Sequence, residues 1–147
     1  MSTRRKLKVS VAAEFLQFQT GLQLSDRLAL IESIRSGLPF QTVIDAVKPL
    51  ALTIKDLTTY GVIPARTLSH SKRSGRFTRA QSDRVARFIR VWLKARETFG
   101  NPAKARKWME RPTRPLGNKA PVALLDTEEG ARLIEDLLFR IDHGLSW

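Results

Sequence analysis

Apolar residues recur three and four positions apart along most of this chain, which is the spacing of one face of an α-helix. The longest such stripe predicts a helix over about residues 79–99: Val85, Phe88, Ile89, Trp92, Ala95 and Phe99. Thr78 and Gln81 stand before it with the spacing of a capping box, in which each side chain bonds the other residue's backbone N–H. The tripeptide Gly-Asn-Pro at residues 100–102 ends it.

Shorter stretches with the same spacing lie on both sides of this helix. Ser25 is placed to cap a helix through Arg35, with Leu28, Ile31 and Ile34 on one face. Further helices are predicted over residues 39–49, 103–110, 121–125 and 127–142, the last with the inward stripe Ala131, Ile134, Leu138 and Ile141. Because no segment alternates apolar and polar residues convincingly, the predicted fold class is all-α, with about seven or eight helices.

Residues 53–72 predict two short helices joined by a tight turn. Thr53 and Asp56 have capping-box spacing, and Gly61 can take the positive φ of a helix end. Pro64 stands where a second helix begins, because its fixed φ suits the first turn. The apolar residues placed to pack the pair together are Leu57, Val62 and Leu68. This arrangement is typical of a helix-turn-helix, although two core helices with a glycine turn have the same spacing.

The second helix of this pair is predicted to present polar side chains outward, as a helix does that reads the DNA major groove. The candidates for contacts to base edges are Arg66, Thr67, Ser69 and His70. The candidates for phosphates are Lys72, Arg73, Arg76 and Arg79, a segment without any acidic residue. This basic run favours the DNA-binding interpretation over two ordinary core helices.

The net charge of +12 indicates a polyanionic partner, with nucleic acid ahead of an acidic membrane surface. The charge is uneven. Residues 118–147 hold three basic and six acidic side chains, a net charge of −3, so residues 1–117 carry +15. This division suggests two surfaces with two different partners. Residues 1–24 are predicted to be a basic tail followed by a short amphipathic segment.

The outer face of the long helix is also basic, with Asp83 as its one acid among six cations: Arg79, Arg84, Arg87, Arg90, Lys94 and Arg96. Like charges three and four positions apart repel one another along a helix. Either the face is simply solvated, or a negatively charged partner neutralises it.

Several chemistries are excluded by what the sequence lacks. Without cysteine there is no disulfide and no Cys-based zinc site, and the two histidines, His70 and His143, fall in different halves. No phosphate-cradling glycine loop or nucleophile elbow is present. We therefore expect no enzyme, no metal and no cofactor. The chain has no apolar run of membrane-spanning length and no signal-peptide region, so we expect no membrane association and a cytoplasmic protein.

The second half of the chain resembles the Xre/MbcA/ParS family of antitoxins. The matching elements, in order, are Phe99-Gly100, Trp108, Pro112, Leu116-Gly117, Pro121, Leu124-Leu125, Thr127, Gly130, Ile141 and His143-Gly144. Upstream, residues 61–73 with Thr78, Ser82-Asp83 and Arg84 resemble the Xre-type part of that family. The resemblance covers roughly residues 25–144, and its order and spacing are more specific than any single motif.

The resemblance implies an Xre-like helix-turn-helix domain, commonly dimeric, followed by a small helical toxin-binding domain. We place their boundaries at residues 25–99 and 100–147. It also implies two activities: blocking the active site of a RES-domain toxin that depletes NAD, and repressing the chain's own operon at operator DNA. The expected partners are that toxin, operator DNA and a second copy of the chain. The alternative is a stand-alone helix-turn-helix transcription regulator without a toxin partner.

Candidate toxin-binding residues lie on the last helix, away from its apolar stripe, together with the last residue: Arg132, Glu135, Asp136, Phe139, His143 and Trp147. Phe139 is informative, because either it packs on the long helix or it is an exposed aromatic that a partner would cover. Trp147 is either a free end or an anchor for a partner pocket. His143 is placed to cap the helix end.

Overall fold

The computed structural model describes residues 24–145, and within them the chain is helical, as predicted, with no strand. The helices are α1 (Leu24–Ser36), α2 (Phe40–Val47), α3 (Asp56–Thr59), α4 (Ala65–Ser74), α5 (Arg79–Phe99), α6 (Pro102–Met109) and α7 (Glu128–Asp142). Short 3-10 turns occupy Lys48–Leu50, Arg114–Leu116 and Pro121–Leu124. The predictions for residues 1–23 and for Trp147 lie outside the described residues.

Helix α5 is the central element, and its start is the one that the sequence predicts. The Thr78 hydroxyl accepts the Gln81 N–H at 3.2 Å, and the Gln81 side chain accepts the Thr78 N–H at 2.9 Å. The helix ends at Gly100, whose φ of +83° is one that residues with a Cβ rarely adopt. The predicted apolar stripe is buried, apart from a half-buried Phe99. The long stripe therefore forms the spine of the hydrophobic core.

An aromatic cluster joins α5 to the helix-turn-helix. The Tyr60 ring lies 5.6 Å from Trp92 and 6.1 Å from Phe88, both fully buried on α5. A second pair, Phe40 and Phe77, stacks at 5.5 Å where α2 meets the segment before α5. Aromatic pairs at these separations add to the stabilisation that their burial gives.

Helix α7 packs along the other flank of α5. Thr127 caps it by accepting the Gly130 N–H at 2.9 Å, as predicted. Ala131, Ile134 and Leu138 are fully buried against the core, and Leu137 joins them. A Cβ added at Gly130 would overlap the carbonyl oxygen of Leu124 and lie 2.8 Å from its carbonyl carbon. Glycine at this position therefore allows the first turn of α7 to touch the preceding 3-10 turn.

Helix α1 departs from the sequence prediction. It is already helical at Leu24, so Ser25 lies inside the helix and does not cap it. None of its residues is buried, and Leu24, Leu28 and Ile31 are exposed although they share the helical spacing of a core stripe. Its attachment to the core is made by Leu30 and Ile34, which are partly covered. Among the helices of residues 24–145, none combines the length and the apolar character that a bilayer span requires.

The basic face of α5 meets the acidic side of α7. Arg90 bonds both Glu128, at 3.1 Å, and Glu135, at 2.8 Å, and Lys94 pairs with Asp142 at 3.0 Å. Arg87 also reaches Glu128, at 3.5 Å. The negatively charged partner of this face is thus the chain's own last helix, and the solvated-face alternative is wrong for these three cations.

These ion pairs lower the pKa of two of the carboxyl groups that form them. Partial burial alone would raise the pKa of Glu128, but Arg90 and Arg87 outweigh it and lower the pKa below the ordinary 4.5. Burial would likewise raise the pKa of Asp142, but Lys94 outweighs it and lowers the pKa below 3.8. A carboxyl group whose pKa is lower in the folded chain than in the unfolded chain stabilises the fold when ionised.

Gly130→Ala should lower the free energy of unfolding by about 1–3 kcal/mol, because the added methyl displaces α7 from Leu124. This loss should appear although alanine favours helix over glycine by about 1 kcal/mol at an unconstrained position. Urea unfolding measures it. The control is Glu129→Ala, an exposed neighbour in the same turn, which should change stability by less than about 1 kcal/mol. A Gly130→Ala chain as stable as the wild type would contradict the close approach.

The double variant Glu128→Gln, Asp142→Asn should be less stable than the wild type at pH 7 by about 1 kcal/mol, the scale of the partly exposed ion pairs that these two carboxylates form with Arg87, Arg90 and Lys94. The wild type holds this advantage above the ordinary pKa values of 4.5 and 3.8 and loses it as the pH falls through the lower folded-state values. Unfolding measured from about pH 7 to about pH 2.5 should therefore bring the two chains together. Asp136→Asn, at an exposed carboxylate, is the matched control; a gap that stays constant with pH argues against the assignment.

Candidate functional site

Helices α3 and α4 form the predicted helix-turn-helix. The Asp56 carboxylate accepts the Thr53 N–H at 2.8 Å, which is one half of the predicted capping box. The helix itself begins at Asp56, with Lys55 before it and no side-chain cap there. Gly61 has the expected positive φ, +75°, and Pro64 precedes the first residue of α4. The turn between the helices is closed by backbone bonds from residues 62 and 63 to the Leu57 carbonyl.

Packing beneath this turn uses a residue that apolar spacing did not predict. Leu57 is fully buried, as predicted, but Val62 and Leu68 are only partly covered. Ile63, one position after Val62, is the fully buried residue of the turn. Pro64 sets the first turn of the next helix. Apolar spacing alone therefore did not show which residue of the turn points into the core.

Helix α4 is held to the body mainly at its C-terminal end. Ser71 is its one buried residue, and its hydroxyl lies 3.4 Å from the Gln81 side chain. Gly75 ends the helix with a φ of +80°, and its carbonyl accepts the Phe40 N–H at 2.9 Å. The Phe77 N–H bonds the Leu38 carbonyl at 2.9 Å. These contacts fix the C-terminal end of α4 on the core and leave its outer face exposed.

That outer face carries most of the predicted DNA-contacting residues. The exposed members on α4 are Arg66, Ser69, His70, Lys72 and Arg73, while Thr67 is half-buried. Arg79, in the first turn of α5, is exposed as well. Within the described residues, none of these cations has an acidic partner, so their charge faces solvent. The structure thus leaves these cations exposed, and no acid of residues 24–145 pairs with them.

Arg76 differs from its neighbours. Its guanidinium donates to the Gly37 carbonyl at 2.6 Å and to the Ser36 carbonyl at 3.4 Å. These bonds tie the segment after α4 to the end of α1, where Gly37 has a φ of +89°. The predicted phosphate contact at Arg76 would have to compete with this structural role.

The outer face of α7 carries four of the residues predicted to meet a toxin. Arg132, Asp136, Phe139 and His143 are all exposed. Phe139 is 51 % exposed and does not pack on α5, which decides between the two alternatives that the sequence left open. Its ring stacks on His143 at 4.0 Å, and His143 Nδ1 lies 2.8 Å from the Phe139 carbonyl oxygen. His143 occupies the helix end, as predicted.

Glu135 is placed differently. Its carboxylate receives two bonds from Arg90, from Nε at 3.2 Å and Nη2 at 2.8 Å. A toxin contact there would have to break this ion pair. Two further exposed apolar residues, Leu133 on α7 and Leu145 after it, were not predicted. Leu133 was readable from the sequence, because it falls off the helical stripe that the other apolar residues of α7 follow.

Within residues 24–145, no group of three or more His, Asp or Glu side chains is placed to hold a metal ion. The exposed cations of α4 and the exposed aromatic pair of α7 are instead groups that bind polyanions and protein surfaces.

Two family models match the chain and divide it between them. Residues 29–90 match the antitoxin Xre-like helix-turn-helix domain, which includes α3 and α4. Residues 94–144 match the antitoxin Xre/MbcA/ParS C-terminal toxin-binding domain, which includes α7. The two matches meet within α5.

Curated relatives agree with both matches. Antitoxin Xre of Yersinia enterocolitica is 38% identical over 130 residues, covering 86% of this chain and 87% of the relative. Antitoxin Xre of Photorhabdus laumondii is 39% identical over 117 residues, covering 76% of this chain and 77% of the relative. Antitoxin Xre of Pseudomonas putida is 32% identical over 84 residues, covering 56% and 53%. With the helix-turn-helix and the last helix built as described, the chain belongs to the Xre antitoxins, in which an Xre-like helix-turn-helix domain precedes an Xre/MbcA/ParS C-terminal toxin-binding domain.

Proposed function

We propose that this antitoxin covers the active site of a RES-domain toxin that depletes NAD, and that it represses its own operon by binding promoter DNA. It acts by binding and not by catalysis, in the cytoplasm. The observation that carries the proposal is the pair of exposed, chemically distinct surfaces on one body. One holds cations without acidic partners among the described residues, and the other holds an exposed aromatic side chain beside polar residues.

The DNA contact is assigned to the outer face of α4. Arg66, Ser69 and His70 project from the first two turns, and we assign them, with the half-buried Thr67, to base edges. Lys72, Arg73 and Arg79 are assigned to phosphates, because a cation without an internal partner can exchange its counterions for the DNA backbone. Arg76 is the weakest of the phosphate candidates, since its guanidinium already serves two backbone carbonyls.

Operators are commonly bound by dimers, whose two recognition helices enter successive turns of the major groove. A homodimer is therefore part of this proposal. The apolar stripe that α1 leaves uncovered, at Leu24, Leu28 and Ile31, supports it, because a second copy would remove that stripe from water.

The toxin contact is assigned to the outer face of α7. Phe139 is its centre, because an aromatic side chain that is half in water gains most from a partner pocket. Arg132, Asp136 and His143 surround it, and Glu135 joins them only if Arg90 releases it. Trp147 remains a candidate anchor from the sequence. The domain boundary at residues 99 and 100 also remains a proposal.

Arg66→Ala and Arg73→Ala should weaken DNA binding in different ways. If Arg66 reads a guanine, its loss costs about 1–3 kcal/mol on the operator and little on random DNA. Loss of Arg73 should weaken both DNAs alike and reduce the slope of log K against log salt by about 0.9. Anisotropy titrations with the promoter duplex and a scrambled duplex over several salt concentrations measure both. The control is Arg27→Ala, at an exposed cation on α1; the oligomeric state of this variant is compared with the wild type, because Arg27 adjoins the stripe proposed for the dimer. Indistinguishable effects of the two substitutions would sink the assignment.

Phe139→Ala should weaken toxin binding by about 2 kcal/mol, or roughly 30-fold, if the ring fills a toxin pocket. Titrating the variant against the toxin encoded beside it, with NAD loss as the readout, measures the change. A point substitution is preferred to a truncation, because removing α7 would uncover the buried face of α5.

Arg27→Ala again supplies the control, and promoter binding by Phe139→Ala should stay at the wild-type level. Full inhibition of the toxin by Phe139→Ala would remove this residue from the interface. A wild-type chain that inhibits no such toxin but still binds its promoter would favour the stand-alone transcription regulator.

A further inference from the structure

A second basic strip lies outside the helix-turn-helix. It consists of Lys104, Lys107, Arg111, Arg114 and Lys119, on α6 and the loop that follows it. All five side chains are exposed, and none forms an ion pair with any residue that the structure describes. This strip lies within the part of the chain that matches the toxin-binding domain, so the match by itself would assign it to a protein partner.

The strip has one orientation on α6. Ala105 and Met109 are buried and fix the inner side of this helix. Lys104 and Lys107 are three positions apart on the helix, so they lie together on the opposite side. Arg111, two positions after the end of α6, is exposed as well. Helix α6 and the residues after it thus present three exposed cations to solvent.

Helix α6 is fastened to α3, the first helix of the helix-turn-helix. Arg106 pairs with Asp56, the first residue of α3, at 3.0 Å. Tyr60, the residue that ends α3, donates its hydroxyl to the Glu110 carboxylate. Burial and then this hydrogen bond raise the pKa of Tyr60, so the phenol stays protonated and the bond persists at neutral pH. The strip therefore has a fixed position beside the helix-turn-helix.

We propose that this strip contacts the phosphate backbone of the DNA that the helix-turn-helix occupies, extending the footprint beyond α4. The inference rests on the DNA-binding half of the proposed function. In a helix-turn-helix the first helix crosses the backbone while the second enters the groove. Helix α6, which carries the first two cations of the strip, is joined to both ends of that first helix through Arg106 and Glu110, so we expect the strip to lie near the phosphates that the first helix crosses. Lys55, immediately before α3, is a further exposed cation at this end of the first helix.

The chemistry of the strip favours phosphate over a protein surface. Protein interfaces centre on apolar and aromatic groups and are depleted in lysine. The exposed large apolar residues of the described chain lie on α1, α7 and the residues after α7, and none lies between residues 100 and 120. A row of cations without an apolar centre is what a phosphate backbone requires, because its contacts carry charge and little apolar burial.

The test compares two triple variants that remove equal charge. The strip variant is Lys104→Gln, Lys107→Gln, Arg111→Gln. The control is Arg27→Gln, Lys48→Gln, Arg140→Gln, at exposed positions of α1, the turn after α2, and α7. Each full-length chain is titrated with a duplex of its own promoter region and a scrambled duplex of equal length, from about 50 to about 300 mM salt, the range over which phosphate contacts weaken. Thermal unfolding and light scattering check that all three chains are folded and share one oligomeric state, because Arg27 adjoins the stripe of α1 proposed for the dimer.

We expect the strip variant to reduce the slope of log K against log salt by about 2.7 on both duplexes, because each phosphate that is no longer neutralised lowers it by about 0.9. The control variant should leave the slope within about 0.9 of the wild-type value. Hydroxyl-radical footprinting should show wild-type protection that extends past the segment protected through α4, and the strip variant should lose only that extension.

Three outcomes would overturn the inference. Equal slopes of log K against log salt for the strip and control variants would mean that the strip contributes only long-range electrostatic attraction and contacts no phosphate. Unchanged DNA binding with weakened toxin binding would assign the strip to the protein partner. A wild-type chain that binds neither duplex would remove the DNA-binding function itself, and the strip's role with it; this result is distinct because no variant is needed to see it.

Discussion

The burial of α5 on two flanks is the constraint on which the rest of this structure depends. One flank packs against the helix-turn-helix through Trp92 and Phe88, which meet Tyr60. The other flank packs against α7 through residues such as Ile134 and Leu138. Since apolar burial is the main favourable term in folding, neither flank can be removed without exposing the core of the other. The surface proposed for DNA and the surface proposed for toxin are therefore parts of one cooperative body.

Charge is distributed by the same packing. The acidic excess of residues 118–147 suggests a surface kept for a second partner, yet Glu128, Glu135 and Asp142 face the cations of α5. This internal neutralisation reduces the repulsion between like charges along α5. It also leaves fewer charged side chains available to a partner. Among the described residues, the cations of α4 and of the strip on α6 remain without acidic partners. Within residues 24–145, the helix-turn-helix and the helix joined to it thus both carry exposed cations without an acidic partner.

Local signals in the sequence were sufficient for the helices and for the protein family. The capping box at Thr78 and the cap at Thr127 depend on residues three positions apart, so they form as the sequence predicts. The exposed face of α4 followed from periodicity and from the turn at Gly61. Ser25 failed as a cap because a hydroxyl in sequence does not by itself stop a helix from beginning earlier.

Only the tertiary structure decided which side chains are already bonded to other groups of the chain. Arg90 meets Glu135 across 45 positions of sequence, and Arg76 meets the Gly37 carbonyl across 39. Helical spacing says which face a side chain occupies, but not what stands opposite that face. For the same reason no pattern in the sequence indicated that α1 would leave its stripe in water, and the position of Phe139 off the apolar stripe left open whether its ring packs on α5 or is exposed. Periodicity is a property of one helix, whereas pairing and exposure depend on how two helices approach each other.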